Sequence, residues 1–240
     1  MTRLRMVLTV CIVAALLSGC TLGSRRVATR EMNVSDFDRV VFESVGELRI
    51  TQGDEESLEI SAESNVLRRI RAEVRGHTLY ISFRGGLFGL GVVPTRGIRY
   101  DLVVRDLEGL ELDGVGSIKV SELETDRLDI GVHGAGEVIV RSLEADRLDV
   151  EHTGVGRCEV SGRAKRQRVQ LTGAGGYDAA ELRSDDVDVR VTGVGKATVW
   201  ALDTLEVEIS GAGNVSYYGE PDVEQHISGI GDVRSMGRRR

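Results

Sequence analysis

The chain has 240 residues, 41% of them hydrophobic, with 30 glycines and only 2 prolines. Glycine is well above the roughly 7% background, yet the apolar content is enough to offset chain entropy, which excludes a collagen-like repeat and a disordered Pro/Gly tract. A net charge of -7, from 31 basic and 38 acidic side chains, excludes the basic footprint of a nucleic-acid-binding domain.

In chain order, Arg3 and Arg5 precede an apolar run from Met6 to Leu17. This run is well short of the roughly 20 residues a membrane-spanning helix needs, so residues 1–19 read as a signal peptide. Leu17-Ser18-Gly19-Cys20 resembles the lipobox of bacterial lipoproteins, which makes Cys20 the expected site of lipid modification and the membrane the first expected partner. Loss of residues 1–19 removes two arginines and no acid, taking the net charge to -9. Cys11 leaves with the signal and Cys20 is acylated, so Cys158 remains alone and no disulfide is expected. Thr21 is not the aspartate associated with inner-membrane retention; in an organism with two membranes the expected address is the outer one. Residues 20–32 are expected to be the lipidated cysteine and a short polar tether.

A single domain is expected over 33–236, of which 33–108 carries no repeat. Alternating patterns predict strands at Arg39–Glu43, Glu47–Thr51, Ser57–Ser61, Thr78–Phe83 and Ile98–Val104, a turn at Gln52-Gly53-Asp54, and a short helix over Asn65–Ile70 capped by Ser64. The stretch 85–97, with Leu87, Phe88 and Leu90, reads as an apolar loop. This half is expected to form irregular first rungs and a cap for the repetitive half of the chain.

From residue 109 onward a Gly-x-Gly recurs at Gly114, Gly134, Gly154, Gly173, Gly193, Gly211 and Gly229, at spacings of 20, 20, 19, 20, 18 and 18. Two and four residues before the first glycine, and four and six after it, the positions are apolar in almost every copy, the period-2 signature of half-buried strands. At ~3.3 Å per residue, about 19 residues with corners make one coil of a narrow solenoid. The expected fold is therefore all-β: a parallel β-solenoid, or β-helix, of seven repeats over 109–236 behind an irregular β-rich N-terminal portion. Seven copies that feed strands do not fit a nucleotide-binding glycine loop, which occurs once and opens a helix. The middle residues run Val115, Ala135, Val155, Ala174, Val194, Ala212, Ile230, an alternation expected to interdigitate in packed surroundings. Residues 237–240 read as a disordered basic tail.

Positions that break the columns are the candidate sites. Asp129, Asp149, Asp188 and Glu206 share the column five before the glycines and form a candidate cation face, although the repeats lack a calcium-binding nonapeptide pattern. Trp200 and Tyr218, both seven after their glycines, form a candidate aromatic platform for a glycan or protein. His152 and Cys158 interrupt apolar columns and read as core residues, because two side chains fall short of a zinc shell. No cofactor and no catalytic constellation emerges; His77 and His133 stand isolated.

Val34-Ser35-Asp36-Phe37-Asp38-Arg39-Val40, the Ile50–Asp54 turn, Leu58-Glu59-Ile60 and the Gly-x-Gly repeats resemble the auto-transporter adhesin head, or GIN, domain of bacterial exported proteins and lipoproteins, over about residues 34–236. The middle residue of the repeat is usually serine in that family and apolar here. The resemblance implies a β-helical fold and an adhesive surface role, and supplies no catalytic residues. The expected function is an envelope-anchored binding or scaffolding surface rather than an enzyme. Two alternatives are a polysaccharide-acting β-helix enzyme and a purely structural homo-oligomer.

Overall fold

The computed structural model describes residues 20–84 and 91–239. The signal segment 1–19 and the expected apolar loop residues Leu87, Phe88 and Leu90 lie outside the described residues. The fold is all-β, with 74% of residues in strands and 2% in helix, and forms a parallel β-solenoid of about six turns with rungs of about 20 residues.

Strands β10 (Gly109–Leu112), β11 (Val115–Val120), β12 (Leu123–Val132), β13 (Ala135–His152), β14 (Val155–Leu171), β15 (Ala174–Val191), β16 (Val194–Ile209), β17 (Ala212–Tyr218), β18 (Asp222–Ile227) and β19 (Ile230–Ser235) build the repetitive part. Every rung pairs in parallel with the next, and the corner stays in register throughout: Val115, Ala135, Val155, Ala174, Val194, Ala212 and Ile230 stack one on another. Ladders of backbone hydrogen bonds thus run along the axis, while the apolar columns fill the coil. Buried Leu112, Val132, Leu171, Val191 and Ile209 are one such column, and Ile118, Val138, Cys158, Tyr177, Ala197 and Val215 another.

Each rung turns at three places, the Gly-x-Gly bend and two more. In one rung Val138 and Val140, then Leu143 and Ala145, then Leu148 and Val150 are buried. That parity shifts twice, and each shift marks a corner. The corner between the first two of these stretches absorbs the uneven length of this repeat. Pairing slips between Val140 and Leu143, where Ser142 has φ 51° and Gly162 has φ 121°, so a 19-residue rung loses its residue there and the Gly-x-Gly corner stays aligned. On the last stretch of the rung Gln167 stands where the rung below has Leu148. It is buried yet satisfied, donating from Nε2 to Tyr177 OH at 2.7 Å and accepting from Ser184 Oγ at 3.0 Å.

The N-terminal half holds one more rung than the repeat search finds. Strands β3 (Arg39–Glu43) and β4 (Val45–Gln52) pair with β10 and β11, and Val45-Gly46 lies in register with Val115-Gly116. Ser44 stands where the first glycine would be, its Oγ 2.6 Å from Tyr100 OH, and Phe42 packs edge-on to the same ring at 5.2 Å. The chain then leaves to form the cap before β10 resumes the coil. Strands β7 (Thr78–Phe83) and β9 (Arg99–Val104) run parallel beneath β3 and β4. Strand β5 (Ser57–Glu63) is antiparallel to β9, and β6 (Ile70–Arg75) is antiparallel to β7. The helix α1 is shorter than expected, Ser64–Leu67; Ser64 Oγ makes no N-cap but donates to Arg26 O at 2.8 Å, and Ile70 already belongs to β6. Val66 and Leu67 close the core at this end.

The segment expected to be a tether is strand. The backbone of β1 (Cys20–Leu22) pairs with β8 (Gly91–Val93), and β2 (Val27–Met32) adds antiparallel to β5. The outer edge of β5 offers unpaired backbone groups, and β2 satisfies them. The buried Glu63 carboxylate fastens this region. It accepts hydrogen bonds from Arg25 N at 2.8 Å, Thr95 N at 2.8 Å and Thr95 Oγ1 at 2.7 Å. Led by the Thr95 hydroxyl, these bonds hold its pKa down at about 2, against an ordinary value of 4.5. Because the folded value is the lower one, the stabilisation is complete above pH 4.5 and fades as pH falls towards 2. Glu63→Gln should therefore speed amide exchange of residues 22–32 at pH 7 and match the wild type near pH 2. Equal exchange at pH 7 would show that the carboxylate does not hold the segment.

Candidate interaction surface

The alternation at the Gly-x-Gly corner predicts a packed middle residue, and the structure reverses this. Val115, Val155, Val194 and Ile230 are 60%, 61%, 65% and 80% exposed, with Ala135, Ala174 and Ala212 exposed between them. The reason lies in the glycines. A Cβ built on Gly134, Gly154, Gly173 or Gly193 points along the solenoid axis into the backbone carbonyl of the rung below, so the residue between two glycines must point outward from the bend. Beside this apolar ladder runs a second exposed column, Thr153, Thr172, Thr192, Ser210 and Ser228. At ~4.8 Å per rung the seven corners extend over roughly 29 Å. Near the C-terminal end the corner glycines and Val194, Ala212 and Ile230 line a shallow groove of about 540 Å³.

The acidic column lies on another face. Asp129 is held by Arg39 at 3.0 Å and Arg127 at 2.8 Å, Asp149 by Arg147 at 2.5 Å, and Asp188 by Arg168 at 3.2 Å. Glu206 is exposed and without an ion pair among the described residues. Stacked carboxylates repel, and arginines interleaved from the same and neighbouring rungs offset the charge of Asp129, Asp149 and Asp188.

Trp200 and Tyr218 are register partners on β16 and β17, and both are half-buried. The Arg183 guanidinium lies 6.0 Å from the Trp200 ring and that of Arg239 lies 5.1 Å from the Tyr218 ring, so cations cap the aromatic pair at both ends. Arg238 and Arg239 of the basic tail are thereby held rather than loose. Arg239 also donates to Ala180 O and Glu181, and Arg238 pairs with Glu220.

Residues 36–221 match a family model described as "Putative auto-transporter adhesin, head GIN domain". The chain belongs to the GIN-domain family. A crystal structure described as "a putative adhesin" from Bacteroides fragilis superposes with a TM-score of 0.86 at 27% identity, covering 90% of this chain and 100% of that one. A "putative adhesin" from Parabacteroides merdae gives 0.72 at 20% identity, with 91% and 100% covered. A "Putative lipid binding protein" from Parabacteroides distasonis gives 0.71 at 22% identity, with 90% and 99% covered. No curated relative matches the sequence. The family relation makes this an adhesin-like protein of the cell surface or envelope.

Within this GIN domain the two column-breaking residues of the third repeat are core. His152 is 1% exposed and its Nε2 has no hydrogen-bond partner; Cys158 is fully buried and burial pushes its thiol up to about 12, far from thiolate reactivity. Stacking also gathers three residues that stand apart in the sequence, Glu111, Asp113 and His133, whose donor atoms all lie within 4.8 Å of one another. Sequence reading misses this group because it forms between rungs. The signal available is that Asp113 and His133 hold the same position, one before the first glycine, in consecutive repeats.

Proposed function

We propose that this GIN domain is held at a bacterial envelope through an acylated Cys20 and uses its Gly-x-Gly corner ladder as the contact surface for a protein or glycan partner. The observation that carries the reading is the unbroken row of exposed Val, Ala and Ile side chains along the solenoid, because a contiguous exposed apolar row of this length is the mark of an interaction surface. The neighbouring hydroxyl column supplies donors and acceptors at the same ~4.8 Å interval. The apolar run and lipobox support the anchor, and the fastening of residues 22–32 against the cap keeps the head close to the membrane with its C-terminal rungs outward. In an organism with two membranes the proposed location is the outer one. Trp200 and Tyr218 offer a second contact point for a glycan, at a site already shielded by Arg183 and Arg239.

Two measurements test this. Cys20→Ser should move the protein from the membrane to the soluble fraction, whereas retention on the membrane would remove the anchor. Val155→Asp with Val194→Asp should leave the melting temperature within about 2 °C of wild type, since both side chains are exposed. The same pair should abolish adhesion of expressing cells to host matrix or glycan-coated surfaces, and full adhesion by the double variant would discard the ladder as the contact surface. Trp200→Ala, assayed alongside, separates the aromatic pair from the ladder.

A further inference from the structure

We propose that Glu111, Asp113 and His133 form a surface site for a divalent transition-metal ion such as Zn²⁺. The site is independent of the corner ladder's role and lies near the N-terminal end of the repeats. Glu111 precedes Asp113 by two on one rung, so the two side chains share a face, and His133 sits on the next rung in the column of Asp113. One imidazole nitrogen and two carboxylates are a zinc-type donor set, in which three protein ligands leave one position for water or a partner's ligand.

Three features set this group apart from the arginine-filled acidic column. First, neither Glu111 nor Asp113 has a side-chain ion pair or hydrogen bond among the described residues, while Asp129, Asp149 and Asp188 each have arginine partners. Second, His133 is already oriented. Its Nδ1 lies 2.8 Å from Thr153 Oγ1 on the following rung, and with Nδ1–H donating there the Nε2 lone pair is left bare. Third, the column that reads Glu111 and Glu151 on the flanking rungs has glycine between them, and a Cβ on Gly131 would stand 2.8 Å from His133 Nε2. The missing side chain makes room for the imidazole, so that His133 Nε2 and the Glu111 stem both lie over Gly131, and Glu111, Gly131, His133 and Glu151 border a hollow of about 300 Å³ that Asp113 does not line. Arg39 and Arg168 also border it, but their guanidiniums are engaged by Asp129 and Asp188. Donors of a tetrahedral zinc shell with ~2.1 Å bonds lie roughly 3.4 Å apart, so the present 4.8 Å limit closes by small rotations of side chains, two of them exposed.

The test uses the full chain in mild detergent, with Cys11 and Cys20 changed to serine so that the buried Cys158 is the one thiol left. Cobalt(II) titration, followed by its visible absorption and competed with Zn²⁺, should show one equivalent bound at pH 7.5. Affinity should fall at least tenfold in His133→Ala and in Glu111→Gln/Asp113→Asn. Thr153→Val, which removes only the orienting hydroxyl, should lose roughly 10-fold, the lower end of the effect of an outer-shell partner. Asp222→Asn on the last rung should bind as wild type. Absence of stoichiometric binding in the parent chain, affinity unchanged by His133→Ala, or displacement of cobalt by equimolar Ca²⁺ would each overturn the site.

Discussion

Gly156→Ala is expected to destabilise the head by about 4 kcal/mol in chemical denaturation. Two terms add. Gly156 has φ 145°, a region that L-residues avoid at a cost of roughly 1–3 kcal/mol. Its Cβ would also fall far inside contact distance of Gly136 O on the rung below, and overpacking of this kind costs about 1–3 kcal/mol. The contact is backbone on both sides, so no rotamer change relieves it; the rungs must separate. Gly176→Ala is the control, since a Cβ there meets nothing within 4 Å and its φ is ordinary. It should be neutral or stabilising by up to ~1 kcal/mol through the unfolded state. Equal effects of the two substitutions would mean that the corner glycines are not squeezed between rungs.

His152→Leu is expected to stabilise the protein by about 1–3 kcal/mol at pH 7 and to flatten its pH dependence. The imidazole is buried with Nε2 unpartnered, and relieving an unsatisfied buried polar atom is worth roughly that much. Leucine fits the column: Leu171, the next residue up, sits beneath Gly195 at an ordinary 3.5 Å from the Cβ position. Burial lowers the pKa of His152 below 6.5, so the unfolded chain takes up a proton at a pH where the folded one does not. Wild-type stability is therefore undiminished above about 6.5 and falls as pH drops through the window beneath it; the leucine variant lacks this component. Parallel stability–pH curves for the two proteins between pH 7 and 5 would contradict the assignment.

Much of this fold is legible in the sequence because stacking repeats the same demand on every rung. The columns around Gly114 to Gly229 carry it, and the solenoid follows from the period alone. Two kinds of feature escape. Some replace the signature residue: Ser44-Val45-Gly46 is a corner without its first glycine, and Gln167 is a core residue satisfied only by partners 10 and 17 positions away. Others depend on direction, which periodicity does not encode. The alternation of the middle residues suggests packing, yet the axial aim of the neighbouring glycine Cα–H bonds turns them outward. Partner identity escapes for the same reason. Nothing in one aspartate's own repeat says that Arg39, ninety residues earlier, will neutralise Asp129, or that His133 will stand over Asp113. The expected tether is strand instead because β2 satisfies an edge that only the folded cap creates.

The corner residues form one exposed, in-register ladder along the solenoid. Spin labels placed at Val115 and Ile230 test it by dipolar EPR, since both sites are exposed and separated by six rung steps. At ~4.8 Å per step the backbone separation is roughly 29 Å, and a single narrow distribution near 3 nm is predicted. A broad distribution, or a mean beyond about 5 nm, would contradict the stacked ladder and the contact surface built on it.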